Sequence, residues 1–131
     1  MSHESPLIAV VDDDEIVLNA IKRLLRVCGF RTETSSSGRA FLDALDNHIP
    51  DCVLLDLLMP GLNGWDVQAG IAASGLSIPV VFITGDGDPA IRERIAADGR
   101  AALLRKPFTE RELLETINAI GIQNPKQDGR L

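Results

Sequence analysis

The chain lacks several features that would mark particular classes of protein. No apolar run approaches the ~18 residues that a membrane-spanning helix needs, and the first residues have neither the basic nor the apolar part of a secretion signal. Basic residues number 13 against 19 acidic ones, and this excess of negative charge argues against nucleic acid as a direct partner, because phosphate-tracking surfaces need clustered lysine and arginine. We therefore predict a cytoplasmic protein that binds neither a membrane nor nucleic acid directly.

Cysteine is scarce and tyrosine is absent. Cys28 and Cys52 are far apart in sequence and form neither a CxxC pair nor part of a metal-ligand cluster. We expect both to be reduced, buried thiols that pack as small hydrophobic side chains.

Short apolar segments alternate with amphipathic segments along the whole chain. A clear helical pattern carries apolar residues from Ile16 to Cys28 at spacings of three and four, and Gly29 is a natural end for it. Asp14 reads as a turn or cap residue, Asp88-Pro89 as a helix start, and Thr109 with Glu112 as a capping box. The predicted strands are residues 7–11, 30–34, 52–56, 78–84 and 101–104.

This alternation predicts an α/β fold, a doubly wound five-stranded parallel sheet with helices on both faces. The length suits a single domain over residues 1–131, with a core of about 7–121 and a polar tail over 122–131 that could begin a linker. No second domain, repeat or low-complexity segment is evident.

Polar residues stand where the apolar runs end. Asp12 and Asp13 follow the first predicted strand, Asp56 ends the third, Thr84 ends the fourth and Lys106 follows the fifth. The carboxyl ends of parallel strands share one edge of the sheet, where ligands bind, so these five side chains are expected to meet in one pocket.

Such a pocket suits phosphoryl transfer. Three carboxylates close together repel one another unless a cation or protons neutralise them, and Mg²⁺ accepts carboxylate and phosphate oxygens. Asp56 could act as a nucleophile that forms an acyl phosphate, while Lys106 supplies a positive charge and Thr84 a hydroxyl donor.

The sequence around these residues resembles the receiver domain of bacterial two-component response regulators, over nearly the whole chain. The motifs that carry the resemblance lie at residues 10–14, 55–64, 82–85 and 106–108. The resemblance implies a flavodoxin-like fold and a signalling switch. Asp56 would take a phosphoryl group from a sensor histidine kinase or a histidine phosphotransfer protein, and Asp12, Asp13, Asp56 and the backbone carbonyl of Leu58 would hold Mg²⁺.

The resemblance also implies roles for the remaining site residues. Thr84 would be the hydroxyl that moves toward the acyl phosphate, Lys106 would pair with the phosphoryl group, and Pro107 would follow a cis peptide. The family normally has an aromatic residue three positions before the lysine, where this chain has Leu103. Either a rotamer change of Leu103 or backbone movement alone would then carry the signal.

Two further positions bear on the lifetime of the phosphoryl group. Leu58 and Asp86 each lie two residues beyond a site residue, and in the family such side chains flank the path of the attacking water. An apolar Leu58 would hinder that water, whereas an acidic Asp86 would orient it.

Other functions remain as alternatives. A phosphatase or dehalogenase with an aspartyl nucleophile usually has a second acid where this chain has Leu58. An interaction domain that never accepts phosphate usually lacks one of the acids or the lysine, and nucleotide-binding motifs such as GxGxxG are absent. We therefore predict a switch that catalyses only its own phosphorylation and slow dephosphorylation, and that acts on a downstream target or an output domain outside this chain.

A homodimer could form through the face made by the fourth helix, the fifth strand and the fifth helix. Receiver domains often pair in this way, and charges of both signs fall on these segments here. They are Arg92, Arg94, Arg105, Arg111, Asp98, Glu110 and Glu112.

Overall fold

Five strands and five helices alternate along the chain in a computed structural model that describes residues 5–85 and 87–125. The strands are β1 (Leu7–Val11), β2 (Arg31–Ser35), β3 (Cys52–Asp56), β4 (Val80–Thr84) and β5 (Ala101–Arg105). The helices are α1 (Glu15–Val27), α2 (Gly38–Ala44), α3 (Gly64–Ala73), α4 (Pro89–Ala96) and α5 (Glu110–Ala119).

The predicted strand positions are confirmed, with small corrections at three of the five. β2 lies one residue later than predicted, and β5 extends one residue further, to Arg105. β4 begins at Val80 rather than at Ile78. Pro79 has no amide hydrogen to donate to a sheet, so the regular strand starts after it, although its carbonyl still accepts from the Val53 amide at 3.0 Å.

All strands are parallel, in the order β2-β1-β3-β4-β5. The chain moves outward in opposite directions from the β1/β3 pair, and in open α/β sheets such a reversal creates a crevice at the carboxyl ends of the strands. β2 lies at an edge, which explains why its residues are polar and partly or fully exposed while β1, β3 and β4 are buried along their whole length. The predicted doubly wound sheet is confirmed.

Two hydrophobic cores cover the two faces of the sheet. Alternate residues of β1 point to opposite sides, so that Ile8 and Val10 enter one core and Ala9 and Val11 the other. The first core is closed by α1 and α5, and the second by α2, α3 and α4. Fully burying one such aliphatic side chain contributes roughly 1.5–3 kcal/mol, so the two cores fix the sheet and therefore its strand ends.

Helix starts follow the predicted capping chemistry. The Asp14 side chain accepts from the Ile16 amide at 2.9 Å, Asp88 caps α4 with Pro89 in the first turn, and Thr109 forms its capping box with Glu112. Gly29 ends α1 with a φ of 95°, a conformation that suits a residue without a Cβ.

Both cysteines are buried and neither forms a disulfide, as predicted. Burial raises the pKa of the Cys52 thiol to about 12, with a further contribution from Asp51, so this thiol stays protonated and unreactive. None of the helices in the described ranges is both long and apolar enough to cross a membrane. Asp86 and residues 126–131, which include most of the predicted tail, lie outside the described residues.

Candidate functional site

Strand ends bring polar side chains into the interior of the molecule. Within the described ranges, the buried polar or charged residues are Asp12, Asp56 and Thr84. Asp12 directly follows β1, and the other two are the last residues of β3 and β4. Burying such groups is costly unless they are hydrogen-bonded, paired with a charge or bound to a metal, and all three come from the set predicted as site residues.

Three carboxylates form a cluster that could hold a metal ion. Asp12, Asp13 and Asp56 each offer an oxygen, and these oxygens all lie within 4.8 Å of one another. Asp13 is exposed while the other two are buried, so the cluster opens to solvent on one side. An all-oxygen, carboxylate-rich set with one open side fits a hard divalent cation that keeps some of its waters.

Asp12 is held in place from three directions. Its backbone amide donates to the Ser35 carbonyl at 3.2 Å, which ties the end of β1 to the end of β2. One carboxylate oxygen accepts from the Asp14 amide at 2.9 Å, and the other lies 3.4 Å from the Lys106 ammonium. Asp12 is therefore oriented before any ligand arrives.

The chain after Asp56 folds back tightly against the start of α3. The Gly64 amide donates to the Leu57 carbonyl at 2.9 Å. A Cβ on Gly64 would lie 2.9 Å from the Leu57 Cα and 3.1 Å from the Asp56 carbonyl oxygen, so only glycine allows this approach. The sequence analysis did not single out Gly64 for this role, because the backbone that it meets is not visible in a sequence.

Burial is the main influence on the ionisation of Asp56. The pKa of this carboxyl is raised from 3.8 to about 6, chiefly by burial, and the negative charges of Asp12 and Asp13 act in the same direction. The Lys106 ammonium and the hydrogen bond from the Leu58 amide, at 3.3 Å, act in the opposite direction. At neutral pH the carboxylate is still mostly ionised, as a nucleophile must be. Its ionised form is less stable in the folded protein than in water.

Lys106 and Thr84 meet through the backbone. The Lys106 amide donates to the Thr84 carbonyl at 2.8 Å, which joins the ends of β4 and β5. The Lys106–Pro107 peptide is cis, as the resemblance implied. The Lys106 side chain, 33% exposed, reaches the cluster at Asp12. The structure thus brings the three carboxylates of the cluster close together, with Lys106 in contact with Asp12 and Thr84 at the end of the strand next to Asp56.

An apolar groove lies beside the cluster, and the sequence analysis did not foresee it. It runs between α1 and the segment that follows β5, and its rim includes the Lys106 side chain. Ile16 at one end of the groove is 80% exposed, and Leu58, after Asp56, is 65% exposed. The groove residues are Ile16, Val17, Ala20, Ile21, Leu24, Lys106, Pro107, Phe108 and Glu110.

Comparison with known proteins gives one consistent result. A family model described as "Response regulator receiver domain" matches residues 8–118. The response regulator protein TmoT of Ectopseudomonas mendocina is 36% identical over 127 residues, which cover 97% of this chain and 58% of that protein. The chain therefore spans little more than half the length of the curated relatives that it matches first.

Solved structures agree with the sequence comparisons. A response regulator receiver protein from Burkholderia phymatum is 46% identical, with a TM-score of 0.80 over 92% of this chain and 99% of that chain. The chemotaxis protein CheY4 of Vibrio cholerae, 24% identical, has a TM-score of 0.81 over 88% of this chain and 98% of that chain, which supports the fold alone.

Proposed function

The chain belongs to the response regulator receiver domain family, and from this membership we propose that it is a Mg²⁺-dependent phosphorylation switch with Asp56 as the phosphoacceptor. The observation that carries the proposal is the buried Asp56 carboxylate, which ends β3 within a cluster that also contains Asp12 and Asp13. Lys106 supplies a positive charge beside this cluster. The three carboxylates of the cluster form the proposed metal site, together with the backbone carbonyl of Leu58.

In the proposed reaction, an Asp56 carboxylate oxygen forms a bond to phosphorus while the bond between phosphorus and a histidine nitrogen of the donor breaks. The donor imidazole leaves as a neutral ring after taking up a proton. A bound Mg²⁺ would offset the negative charge on the phosphoryl oxygens during transfer. Lys106 would turn from Asp12 toward one phosphoryl oxygen, and the Thr84 hydroxyl would donate to another.

Loss of the phosphoryl group is proposed to be slow and to need only water. The Leu58 side chain is exposed beside Asp56, where it would obstruct an approaching water molecule. Asp86, the other position expected to influence this step, is outside the described residues. We propose self-dephosphorylation of this kind rather than turnover of a separate substrate.

The donor is proposed to be a sensor histidine kinase or a histidine phosphotransfer protein in the cytoplasm. The apolar groove between α1 and the segment after β5 supports this, because it would seat a helix of the donor and bring its histidine toward Asp56. The output is proposed to be a downstream protein or an output domain, since the matched relatives extend well beyond the length of this chain.

A homodimer through α4, β5 and α5 remains a proposal. Several of the charges expected to serve it are engaged within one protomer. Arg94 lies over Trp65, Asp98 accepts from Gln68, and Arg111 pairs with Glu115. Arg92 and Glu110 are exposed and remain candidates for contacts between protomers.

The proposed function is tested by the intact mass of the protein after incubation with acetyl phosphate and Mg²⁺. The expected result is a single phosphoryl adduct in the wild type that is lost on chelation of the metal and absent from Asp56→Asn. Asp43→Asn, which removes an exposed carboxylate on α2, serves as the matched control and should be labelled like the wild type. Labelling that persists in Asp56→Asn would place the acceptor elsewhere, and a folded wild type that no small donor or histidine kinase labels would favour an interaction domain independent of phosphate.

A further inference from the structure

Trp65, the single tryptophan of the chain, lies between an aromatic ring and a cation. Its ring, on α3, contacts that of Phe82 on β4, with 4.7 Å between centroids and an interplanar angle of 48°. On α4, the guanidinium carbon of Arg94 lies 3.9 Å from the centroid of the Trp65 ring. This distance is well within the range of a cation–π interaction. A continuous line of contacts therefore runs from β4 through α3 to α4.

The inner end of this line begins beside the site. Phe82 and Thr84 are two residues apart on β4, so their side chains point to the same face of the sheet. On β5, Leu103 pairs with Phe82, and all three helices on this face share one core with these residues. A displacement of Thr84 toward a phosphoryl group on Asp56 would thus alter the packing around Phe82.

The outer end is a helix with few buried anchors. Ile95 is the buried residue of α4, and Ile91 packs at the margin of the same core. Polar side chains also link this region to α3: Arg94 lies over Trp65, and the Gln68 amide donates to the Asp98 carboxylate at 2.7 Å. A helix with so little buried surface can change position when one such contact is lost.

We infer that Trp65 and Arg94 are positioning residues that couple Thr84 to α4, and so carry the phosphorylation signal that Leu103 cannot carry as an aromatic switch. This inference rests on the proposed phosphorylation of Asp56. The contact between Arg94 and Trp65 holds α4 in its unphosphorylated position. When Thr84 moves, Phe82 and Trp65 repack, the cation loses its place over the ring, and α4 is released.

The inference is tested with beryllofluoride, which mimics a phosphoryl group on a carboxylate, in the presence of Mg²⁺. Fluorescence of Trp65 should change on addition of beryllofluoride beyond any change caused by Mg²⁺ alone. Arg94→Gln should abolish most of this change, whereas Arg39→Gln, which removes an exposed arginine from α2, should leave it intact. Arg94→Lys, which keeps the charge, should restore part of it.

A second readout separates coupling from simple loss of packing. If the contact stabilises only the unphosphorylated position, Arg94→Gln should lower the beryllofluoride concentration at half-saturation by about two- to fivefold, as expected for one cation–π interaction. The half-saturation concentration can be measured from bound fluoride by ¹⁹F NMR, a method that also works in a variant that lacks Trp65. Trp65→Leu should therefore produce a similar shift, and the double variant should show little more than either single one.

The outcomes distinguish this inference from the proposed function. Absence of metal-dependent labelling of Asp56 in the wild type overturns the proposed function, and the inference with it. Normal labelling with an unchanged Trp65 signal, with half-saturation unaffected by Arg94→Gln, or with fully additive shifts in the double variant overturns the inference alone.

Discussion

The Lys106 ammonium lies 3.4 Å from a carboxylate oxygen of Asp12, so the cation of the site contacts an acid before any phosphoryl group is present. Asp12 is buried and Lys106 is partly exposed, which places the pair at the boundary between the interior and solvent. Such a pair partly offsets the repulsion among the three carboxylates. Phosphorylation of Asp56 would offer Lys106 a more highly charged partner, and the exchange of partners would reorganise the ends of β4 and β5.

Lys106→Ala is therefore expected to uncouple phosphorylation from conformational change. On addition of beryllofluoride and Mg²⁺, the β4–α4 segment should lose most of its change in amide hydrogen exchange. The reason is that the variant lacks the cation that would join the phosphoryl group to the end of β5, next to Thr84. Lys22→Ala, on α1, is the control for removing a lysine. A response in Lys106→Ala equal to that of the wild type would remove Lys106 from the switching mechanism.

Asp13→Ala is expected to weaken Mg²⁺ binding by roughly 10- to 100-fold, the loss that is common when a group supporting a metal site is removed. Asp13 is the exposed member of the carboxylate cluster, so its removal should leave the fold intact. Calorimetric titration with Mg²⁺ measures the change. Asp14→Asn is the matched control, since asparagine keeps the cap on α1 while removing one nearby charge. Equal affinities in the two variants would mean that Asp13 does not contribute to the site.

In the absence of metal, Asp56→Asn is expected to stabilise the folded protein at neutral pH. The pKa of Asp56 is raised from 3.8 to about 6 in the folded state, chiefly by burial. Folding therefore favours the protonated form: this stability is fully present below pH 3.8 and is lost as the pH rises through about 6. Two pKa units correspond to at most about 3 kcal/mol, and asparagine avoids that cost at neutral pH.

Urea denaturation in a chelating buffer at pH 4.5 and pH 7.5 tests this expectation. The stability difference between Asp56→Asn and the wild type should be largest at pH 7.5, and it should shrink at the lower pH and on addition of Mg²⁺ at pH 7.5. Asp43→Asn should show no such pattern, because Asp43 is exposed on α2. A variant less stable than the wild type at pH 7.5 would contradict the argument from burial.

Much of the fold could be predicted from the sequence because buried parallel strands are continuous apolar runs. β1 and β3 have the predicted bounds. The apolar pattern places the start of β4 too early, because it includes Ile78, which precedes a proline that interrupts regular pairing. The meeting of Asp12, Asp13 and Asp56 followed from a topological rule, since strand ends share an edge. Two contacts could not be predicted, because they depend on the position in which each helix packs on the sheet. They are the contact between Arg94 and Trp65 and the approach of Gly64 to Leu57.

The apolar groove leads to a prediction that separates recognition of a protein donor from the chemistry at Asp56. Ile16 is 80% exposed at one end of this groove, in the first turn of α1. Ile16→Asp should slow phosphotransfer from a histidine kinase by about tenfold or more, because a charge buried within an apolar contact typically costs more than 1.4 kcal/mol. An acidic residue in the first turn of a helix is favourable for folding, so the variant should remain folded.

The same variant should react normally with acetyl phosphate, which is too small to use the groove. Val27→Asp is the matched control: Val27 is 64% exposed at the far end of the same helix, outside the groove. The donor for this test is a kinase first selected for its transfer of phosphate to the wild-type protein. Equal slowing of both donors would mean that Ile16 acts on the reaction at Asp56, whereas unchanged transfer from the kinase would mean that the donor docks elsewhere.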